Sequence, residues 1–365
     1  MTIIVTINGV DRTGLINWES LNISQILTKS IDTAGFPILQ KDVADFNPLA
    51  GNEVIITADG TKIFAGMITS VESRATAYKT VEHTIQASDY GRVMDSKLIS
   101  AVFENQTVDA IISDLIVNYF PVGVFTNTNV NCPVVIKYLK LNYVSGCNVM
   151  NRLAELTGYD WYVDYDKDIH FFIPQAVTAP IDLEDDNGSY EYESLILRSD
   201  NSQIKNSIIV RGGEYLGTQF TTEILANGTD TIYPLAYKYS DFSVTLTSEK
   251  LNVGVDPIDN ANLFDVLYNF QEKIIKFRDS RKPTNGSIMR IGGKPYLPVI
   301  VELKDQQAIN ATLTLEGNVG DGVYEFLIVD KSINSKEGAR QRAQAEINTY
   351  ATTLIEGEFI SETAG

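Results

Sequence analysis

The feature that most constrains this chain is a hydrophobic period that switches from two to 3.6 and back again. Over residues 1–103 the runs TIIVTI, LNISQIL, NEVIIT and KIFAGMITSV are short, alternating and rich in Ile, Val and Thr, with NG, DG and AG pairs as turn signals. Period-two runs with such ends read as strands, and a succession of them predicts a barrel or sandwich. At residue 107 the spacing changes: Val108, Ile111, Ile112, Leu115, Ile116, Tyr119 and Phe120 follow the i, i+3, i+4, i+7 rule of an amphipathic helix. Thr107 is placed as its N-cap, and Pro121 ends it. A second helix opens at Ser145, carries Val149, Leu153 and Leu156 on one face, and closes at Gly158, a residue suited to the left-handed C′ position.

Strand patterns return with NSIIVRGG at 206–213 and continue through FTTEIL, FSVTLT, YLPVIVEL, ATLTLEG and VYEFLIVD. Within this region residues 260–277 break the alternation, and Phe264, Leu267, Tyr268, Ile274 and Ile275 predict a partly helical insertion. After Ser335 a stripe of Ala339, Ala343, Ile347, Tyr350, Ala351 and Leu354 predicts a helix, followed by a strand-like end that reads as an unfinished element of a longer chain. The 29–48 connection is too long for a tight hairpin and is expected to be a loop or an arm toward a neighbour. The expected class is α+β, mainly β: a tube-like β-barrel over 1–103, an α/β domain with a helix–hairpin over 104–203, and a second β-barrel over 204–330. Its insertion lies near 240–295, and a C-terminal helix with the start of a further strand fills 331–365. No period of 20–50 residues recurs, which excludes a solenoid.

A chain of 365 residues exceeds one ordinary core, and its 44% hydrophobic and 21% charged residues lie in the globular range. The 47 acids outweigh 29 basic residues to give a net charge of −18, which disfavours a grip on nucleic acid, since that grip comes from Lys and Arg on phosphates. The start has neither the basic nor the apolar region of a secretory signal, and no apolar run approaches the roughly 20 residues needed to span a bilayer. No stable membrane insertion is expected, and synthesis and assembly are expected in the cytoplasm. Cys132 and Cys147, without paired His or Cys neighbours, make no zinc motif, and a disulfide between them is not expected in such a compartment.

The densest candidate site is residues 153–172, which gather Asp160, Asp164, Asp166, Asp168 and His170 between aromatic and aliphatic residues. Asp164, Asp166 and Asp168 match the first three ligand positions of an EF-hand loop, but Ile169 stands where its sharp turn needs Gly and Gln175 where it needs a bidentate Glu. A hairpin fits every residue: Trp161, Val163 and Tyr165 on one face, Asp166-Lys167-Asp168 as the turn, and Ile169 and Phe171 resuming the alternation, with the acids outward. His83 and His170 both lie in strand-like alternation, without a G-x-S-x-G turn or an H-E-x-x-H motif, so neither reads as a catalytic base. The acids of 182–193 read as a solvated loop, although two carboxylates brought close in space are all that glycoside hydrolysis needs. No catalytic, cofactor-binding or metal residue is assigned, and no cofactor is expected.

The order of these elements resembles the hub protein of phage tail baseplates, a group that includes the N-terminal part of tail-associated lysins and the hub part of type VI secretion spike proteins. The resemblance rests on VFENQTVDAIISDLI, with its Asn-x-Thr-Val helix opening at Asn105–Val108, on GCNVMNRLAELTGYDWYVDYDKDIHFF, and on SINSKEGARQRAQAEI, and it covers nearly the whole chain. It implies a homotrimer whose two barrels per chain form a pseudo-sixfold ring at the virion tail tip. That ring would join the hexameric tail tube or distal tail protein to the tip, with tape measure and receptor-binding proteins as further partners and DNA only as transiting cargo. Lysin-type members carry hydrolase modules beyond the hub, and nothing after Phe359 is long enough to be one, so the chain is expected not to be an enzyme. A cell-wall or polysaccharide hydrolase using paired carboxylates in 160–193, and a carbohydrate-binding tail protein using some of its 18 tyrosines, are the competing expectations.

Overall fold

A computed structural model describes residues 2–26, 28–41, 46–174 and 191–360. The chain divides into two compact units, one formed by residues 1–208, 303–326 and 340–365, the other by 209–302 and 327–339.

The first unit opens with seven strands, β1 (Ile3–Ile7), β2 (Val10–Asp11), β3 (Asn22–Ser24), β4 (Thr33–Lys41), β5 (Glu53–Ala58), β6 (Thr61–Ala77) and β7 (Thr80–Asp89). They form one sheet in the order β2-β1-β5-β6-β7-β4-β3, and every pairing is antiparallel. The hydrogen-bonded path is open at β2 and β3, and no closed barrel occurs among the described residues. Alternation places Val5, Ile7, Phe36, Ile38, Val54, Ile56, Phe64 and Ile85 in one core, each almost wholly removed from water. Burying a side chain of this size contributes roughly 1.5–3 kcal/mol. At Gly66 the two long strands approach so closely that a Cβ would sit 2.1 Å from the Ser88 carbonyl oxygen.

Within the connection over 29–48, expected as a loop or an arm, residues 33–41 instead form β4, an interior strand of this sheet. Gly35 and Pro37 disguise it, since Pro cannot donate to a ladder. The position is tolerated because β3 pairs only as far as Gly35, and beyond it the Pro37 carbonyl accepts from the Asn17 backbone N–H at 3.1 Å. Among the described residues of the predicted LNISQIL strand, Asn22–Ser24 form β3.

There follow α1 (Gly91–Met94), β8 (Leu98–Thr107), α2 (Val108–Asn118), β9 (Thr126–Val130), β10 (Val135–Ser145), α3 (Gly146–Thr157), β11 (Asp160–Val163), β12 (Asp168–Phe172) and β13 (Ile196–Asp200). The Thr107 hydroxyl caps α2 by accepting from the Ala110 N–H at 3.3 Å, and Val108, Ile111, Ile112 and Leu115 are buried as the period requires. Gly158 ends α3 in the left-handed region at φ +75. The first turn of α3 is capped not by Ser145 but by Asp95, whose carboxylate accepts from the Cys147 N–H at 2.8 Å. Strands β8 and β10 form a two-stranded ribbon, while β11, β12 and β9 form a three-stranded sheet in which β12 and β9 run parallel.

The second unit is built from β14 (Ser207–Leu216), β15 (Phe220–Leu225), β16 (Ile232–Pro234), β17 (Tyr239–Leu246), β18 (Glu249–Lys250), β19 (Val253–Val255), β20 (Val266–Asn269), β21 (Ile274–Phe277) and β22 (Ile288–Lys304). Its core joins Tyr239, Val244, Val266, Tyr268, Ile275, Met289 and Ile291, with the rings of Phe242 and Tyr268 stacked 4.0 Å apart. The predicted helical insertion over 260–277 is a single 3-10 turn, Ala261–Leu263, followed by the β20–β21 hairpin. Its apolar residues satisfy both periods, and the core selects the strand: Val266 pairs with Phe277 and Tyr268 with Ile275, and all four are buried.

The chain continues through α4 (Gln306–Leu315), β23 (Glu325–Val329), α5 (Lys336–Tyr350) and β24 (Leu354–Glu358). The run ATLTLEG, expected as a strand, lies mostly in α4, because Asp305 caps that helix by accepting from the Ala308 N–H at 2.9 Å. The Thr312 and Thr314 hydroxyls then bond back one turn, to Ala308 and Asn310. The predicted helix forms as α5, with Ala339, Ala343 and Ile347 buried and Ala351 buried just beyond it, but it stops at Tyr350, and Leu354, expected on its stripe, opens β24. The class is α+β, mainly β. Among the described residues no helix is long and apolar enough to cross a membrane.

Candidate functional site

The acid-rich stretch folds as the expected hairpin, with Trp161 paired to Phe171 and Tyr162 to His170. Trp161, Ile169 and Phe171 are buried, and the Trp161 indole N–H donates to the Asn151 amide oxygen of α3 at 2.8 Å. The turn is shifted from the expected one. Asp164 organises it through one carboxylate oxygen that accepts from the Asp166 and Asp168 N–H groups, both at 2.8 Å, and Lys167 takes the left-handed position at φ +69.

Asp168 is therefore the first residue of β12 and not part of the turn, and its carboxylate points inward. One oxygen accepts from the Thr126 hydroxyl and from the Thr128 N–H at 2.8 Å. The other accepts from the Asn129 N–H at 3.0 Å and its side-chain amide at 2.9 Å. These four bonds fill the lone pairs a carboxylate offers and fasten β9 alongside β12. Burial opposes the charge, but the hydrogen bonds outweigh it and hold the Asp168 carboxyl below the usual range.

Asp164, Asp168 and His170 bring their potential ligand atoms within 4.8 Å of one another. The arrangement does not suit a cation. Asp168 is saturated by protein donors, and the second oxygen of Asp164 meets His170 Nε2 at 3.0 Å. The His170 ring is stacked on Tyr162, with centroids 4.4 Å apart. His83 is likewise a held strand residue, its Nδ1 2.8 Å from the Ser73 hydroxyl and its Nε2 3.1 Å from Gln40 Oε1, and burial lowers its pKa. Cys132 and Cys147 are both free and buried. Burial pushes the Cys132 thiol up to about 11 and the Cys147 thiol higher still, so neither is poised as a nucleophile. Of the acid-rich loop over 182–193, positions 182–190 lie outside the described residues.

What the hairpin does bind is the first sheet. The Lys29 N–H donates to the Trp161 carbonyl at 2.8 Å, and its ammonium pairs with Asp160. Lys62 pairs with Asp166 and reaches the Tyr165 carbonyl at 3.2 Å. Tyr165 leaves the hairpin to pack against the first core, its ring 6.0 Å from that of Phe64, and its hydroxyl donates to Asp32 at 2.8 Å. Lys167 meets Glu53 at 3.0 Å and lies 4.5 Å over the Tyr90 ring. The Tyr90 hydroxyl bond, with Lys167 behind it and burial opposing, holds the Glu53 carboxyl below its ordinary value.

Beneath this contact Asp89, 4% exposed, accepts from the Asp32 N–H at 2.6 Å and the Gly91 N–H at 2.7 Å. Burial pushes its carboxyl up to about 6. A second polar centre gathers Glu346 of α5 with Lys205 at 2.7 Å and Arg342 at 2.8 Å, while Lys205 lies 3.9 Å over the Phe326 ring and 4.1 Å over that of Tyr350. Sequence reasoning singles out neither Asp32–Asp89–Tyr165 nor Lys205–Glu346. The partners are up to 141 residues apart and carry no motif; only Arg342 and Glu346, at i and i+4, leave a local signal.

No family profile and no curated protein sequence matches the chain. Among solved structures, the 43 kDa tail protein of prophage MuSo2 from Shewanella oneidensis aligns over 97% of this chain and 81% of its own, with TM-score 0.52 and 13% identity. Prophage tail protein gp18 from Listeria monocytogenes EGD-e aligns over 100% of this chain and 82% of its own, with TM-score 0.52 and 10% identity. The E. coli type VI secretion component c3393 aligns over 80% of this chain at TM-score 0.34. At such identities the likeness speaks for the fold alone, and through its whole length this chain has the fold of prophage tail proteins.

Proposed function

We propose that this chain is a structural protein of a phage tail, the hub of its tip or baseplate, acting through interfaces and not through a catalytic site. The observation that carries the reading is the full-length match of fold to two prophage tail proteins. The acid cluster supports it, since the carboxylates that looked most like a site are spent on protein donors and on docking the hairpin to the first sheet. In this reading residues 1–103 and 204–330 are the ring-forming regions, three chains make a pseudo-sixfold ring, and that ring joins the tail tube or distal tail protein to the tip. Tape measure and receptor-binding proteins attach around it. A charge of −18 per chain would keep DNA from lodging in a bore through which it passes.

The test is electron microscopy of the purified chain together with its mass by light scattering over a concentration series. Rings with a mass near three times 40.4 kDa are expected. Turnover of peptidoglycan or capsular polysaccharide by the purified chain, lost in Asp164→Asn, would overturn the non-enzymatic reading.

A further inference from the structure

Asp89 ends β7 with its side chain turned into the protein, and among the described residues no Lys, Arg or His pairs with it. Its two oxygens accept instead from backbone, the Asp32 N–H at 2.6 Å and the Gly91 N–H at 2.7 Å. A carboxylate buried without a cation is disfavoured in its charged form. The groups that face it offer no counter-charge. From the chain entering β4 comes the Asp32 carboxylate, from the hairpin the Tyr165 hydroxyl, and from α3 the Cys147 thiol, which donates to the Gly91 carbonyl at 3.3 Å. From α1 comes the N–H of Arg92, whose residue is exposed, and β6 sets Gly66 alongside. The two lysines of the neighbouring contact, Lys62 and Lys167, are held by Asp166 and Glu53.

The Asp32 that grips Asp89 through its backbone also anchors the hairpin through its side chain. One Asp32 oxygen accepts from the Ile26 N–H at 2.8 Å and the other from the Tyr165 hydroxyl at 2.8 Å, while that hydroxyl accepts from the Gln25 amide at 2.7 Å. A continuous run of hydrogen bonds therefore leads from the end of β7 to the turn of the hairpin. When Asp89 is ionised, two like charges share this run, and burial strengthens their repulsion. Parting Tyr165 from Asp32 admits water to both carboxylates and relieves that cost.

We propose that Asp89, Asp32 and Tyr165 form a pH-sensitive latch on the hairpin: with Asp89 protonated the hairpin is held to the first sheet, and with Asp89 ionised its Tyr165 anchor loosens. The sign follows from burial, which pushes the Asp89 carboxyl up from 3.8 to about 6. The closed latch is favoured most below pH 3.8, and that preference is lost as pH rises through about 6. The ion pairs of Lys29 with Asp160, Lys62 with Asp166 and Lys167 with Glu53 keep the hairpin beside the sheet, so the change is a local opening. The latch is independent of the ring reading above, which gives the hairpin no moving part.

The test is native-state hydrogen exchange of the full chain, corrected at each pH for the intrinsic exchange rate. The reporters are the Lys29 amide, which donates to the Trp161 carbonyl across the contact, and the Asp32 amide, which donates to Asp89. Histidines titrate in the same window and His170 lies on the hairpin, so a His170→Gln background removes its share. Between pH 5 and pH 7.5 the opening constant of both amides is expected to rise about tenfold in that background. Asp89→Asn is expected to abolish the rise. A second measurement follows the Asp89 carboxyl by carbon-13 NMR: because coupling is reciprocal, Tyr165→Ala is expected to lower its titration midpoint toward 3.8. An opening constant that changes less than twofold, a rise kept in full by Asp89→Asn, or a midpoint unmoved by Tyr165→Ala overturns the latch.

Discussion

Replacing Asp168 with Asn separates a structural carboxylate from a metal ligand. In the native protein two oxygens accept four hydrogen bonds, from Thr126, Thr128 and the backbone and side chain of Asn129. An amide keeps one acceptor oxygen and turns an NH2 group toward donors, so at least two bonds are lost and the charge assistance of the rest disappears. Leaving buried donors without an acceptor costs about 1–3 kcal/mol each, and partial relaxation brings the expected loss to about 2–4 kcal/mol. For a unit of this size that is a fall of roughly 5–10 °C in the midpoint of the first unit's transition. Asp166→Asn is the control: its side chain is 78% exposed and paired with Lys62, and it should cost less than about 1 kcal/mol. Thermal melts at pH 7, followed by the fluorescence of buried Trp161, with and without added calcium or zinc, read out both variants. An Asp168→Asn midpoint within 1 °C of wild type would refute the four-donor arrangement around Asp168. A metal-dependent rise in wild type that Asp168→Asn abolishes would instead make the cluster a cation site.

Glu346→Gln should destabilise the first unit by about 2–4 kcal/mol in urea unfolding at pH 7, because Lys205 and Arg342 lose the anion they share. Burial opposes its charge but the two cations outweigh it, so its folded pKa lies below 4.5; its stabilisation is present above 4.5 and fades as pH falls through the folded value. Asp89 has the opposite sign. With its folded pKa raised from 3.8 to about 6, the protonated form is favoured, and stability on the order of 3 kcal/mol that is present below pH 3.8 is lost as pH rises through about 6. Asp89→Asn should flatten that part of a stability–pH profile, and an unchanged slope would count against it. Gly158→Ala should cost about 2 kcal/mol by chemical denaturation, since φ is +75 and the new Cβ would lie 3.1 Å from the Cα and Cβ of Ala345.

Local signals were sufficient where one period and its caps agreed. The helix after Thr107 and the helix closed by Gly158 form as their spacing requires, and the hairpin after them forms with its turn shifted, because the apolar stripe, the capping hydroxyl and the left-handed glycine all act within a few residues. Local signals failed where two periods fitted the same residues. Leu267, Tyr268, Ile274 and Ile275 satisfy a helix as well as a hairpin, and only a core able to receive Val266, Tyr268, Ile275 and Phe277 chooses the latter. The alternating Thr and Leu of 312–315 suggest a strand until Asp305 caps the segment as a helix.

From its sequence alone this protein is legible as mainly β, with α2 and α3 opening after Thr107 and Ser145 and α3 closing at Gly158, and without a familiar catalytic motif. These are statements about neighbours along the chain. That Gly35 and Pro37 belong to an interior strand follows from the folded sheet, since it depends on where β3 stops pairing. The tertiary structure likewise decided that Asp168 turns inward to Thr126 and Asn129, and that the hairpin's Tyr165 and Lys167 dock on Asp32 and Glu53, 133 and 114 residues away. A carboxylate's role is set by which donors reach it in space, and the order of residues along the chain does not record that.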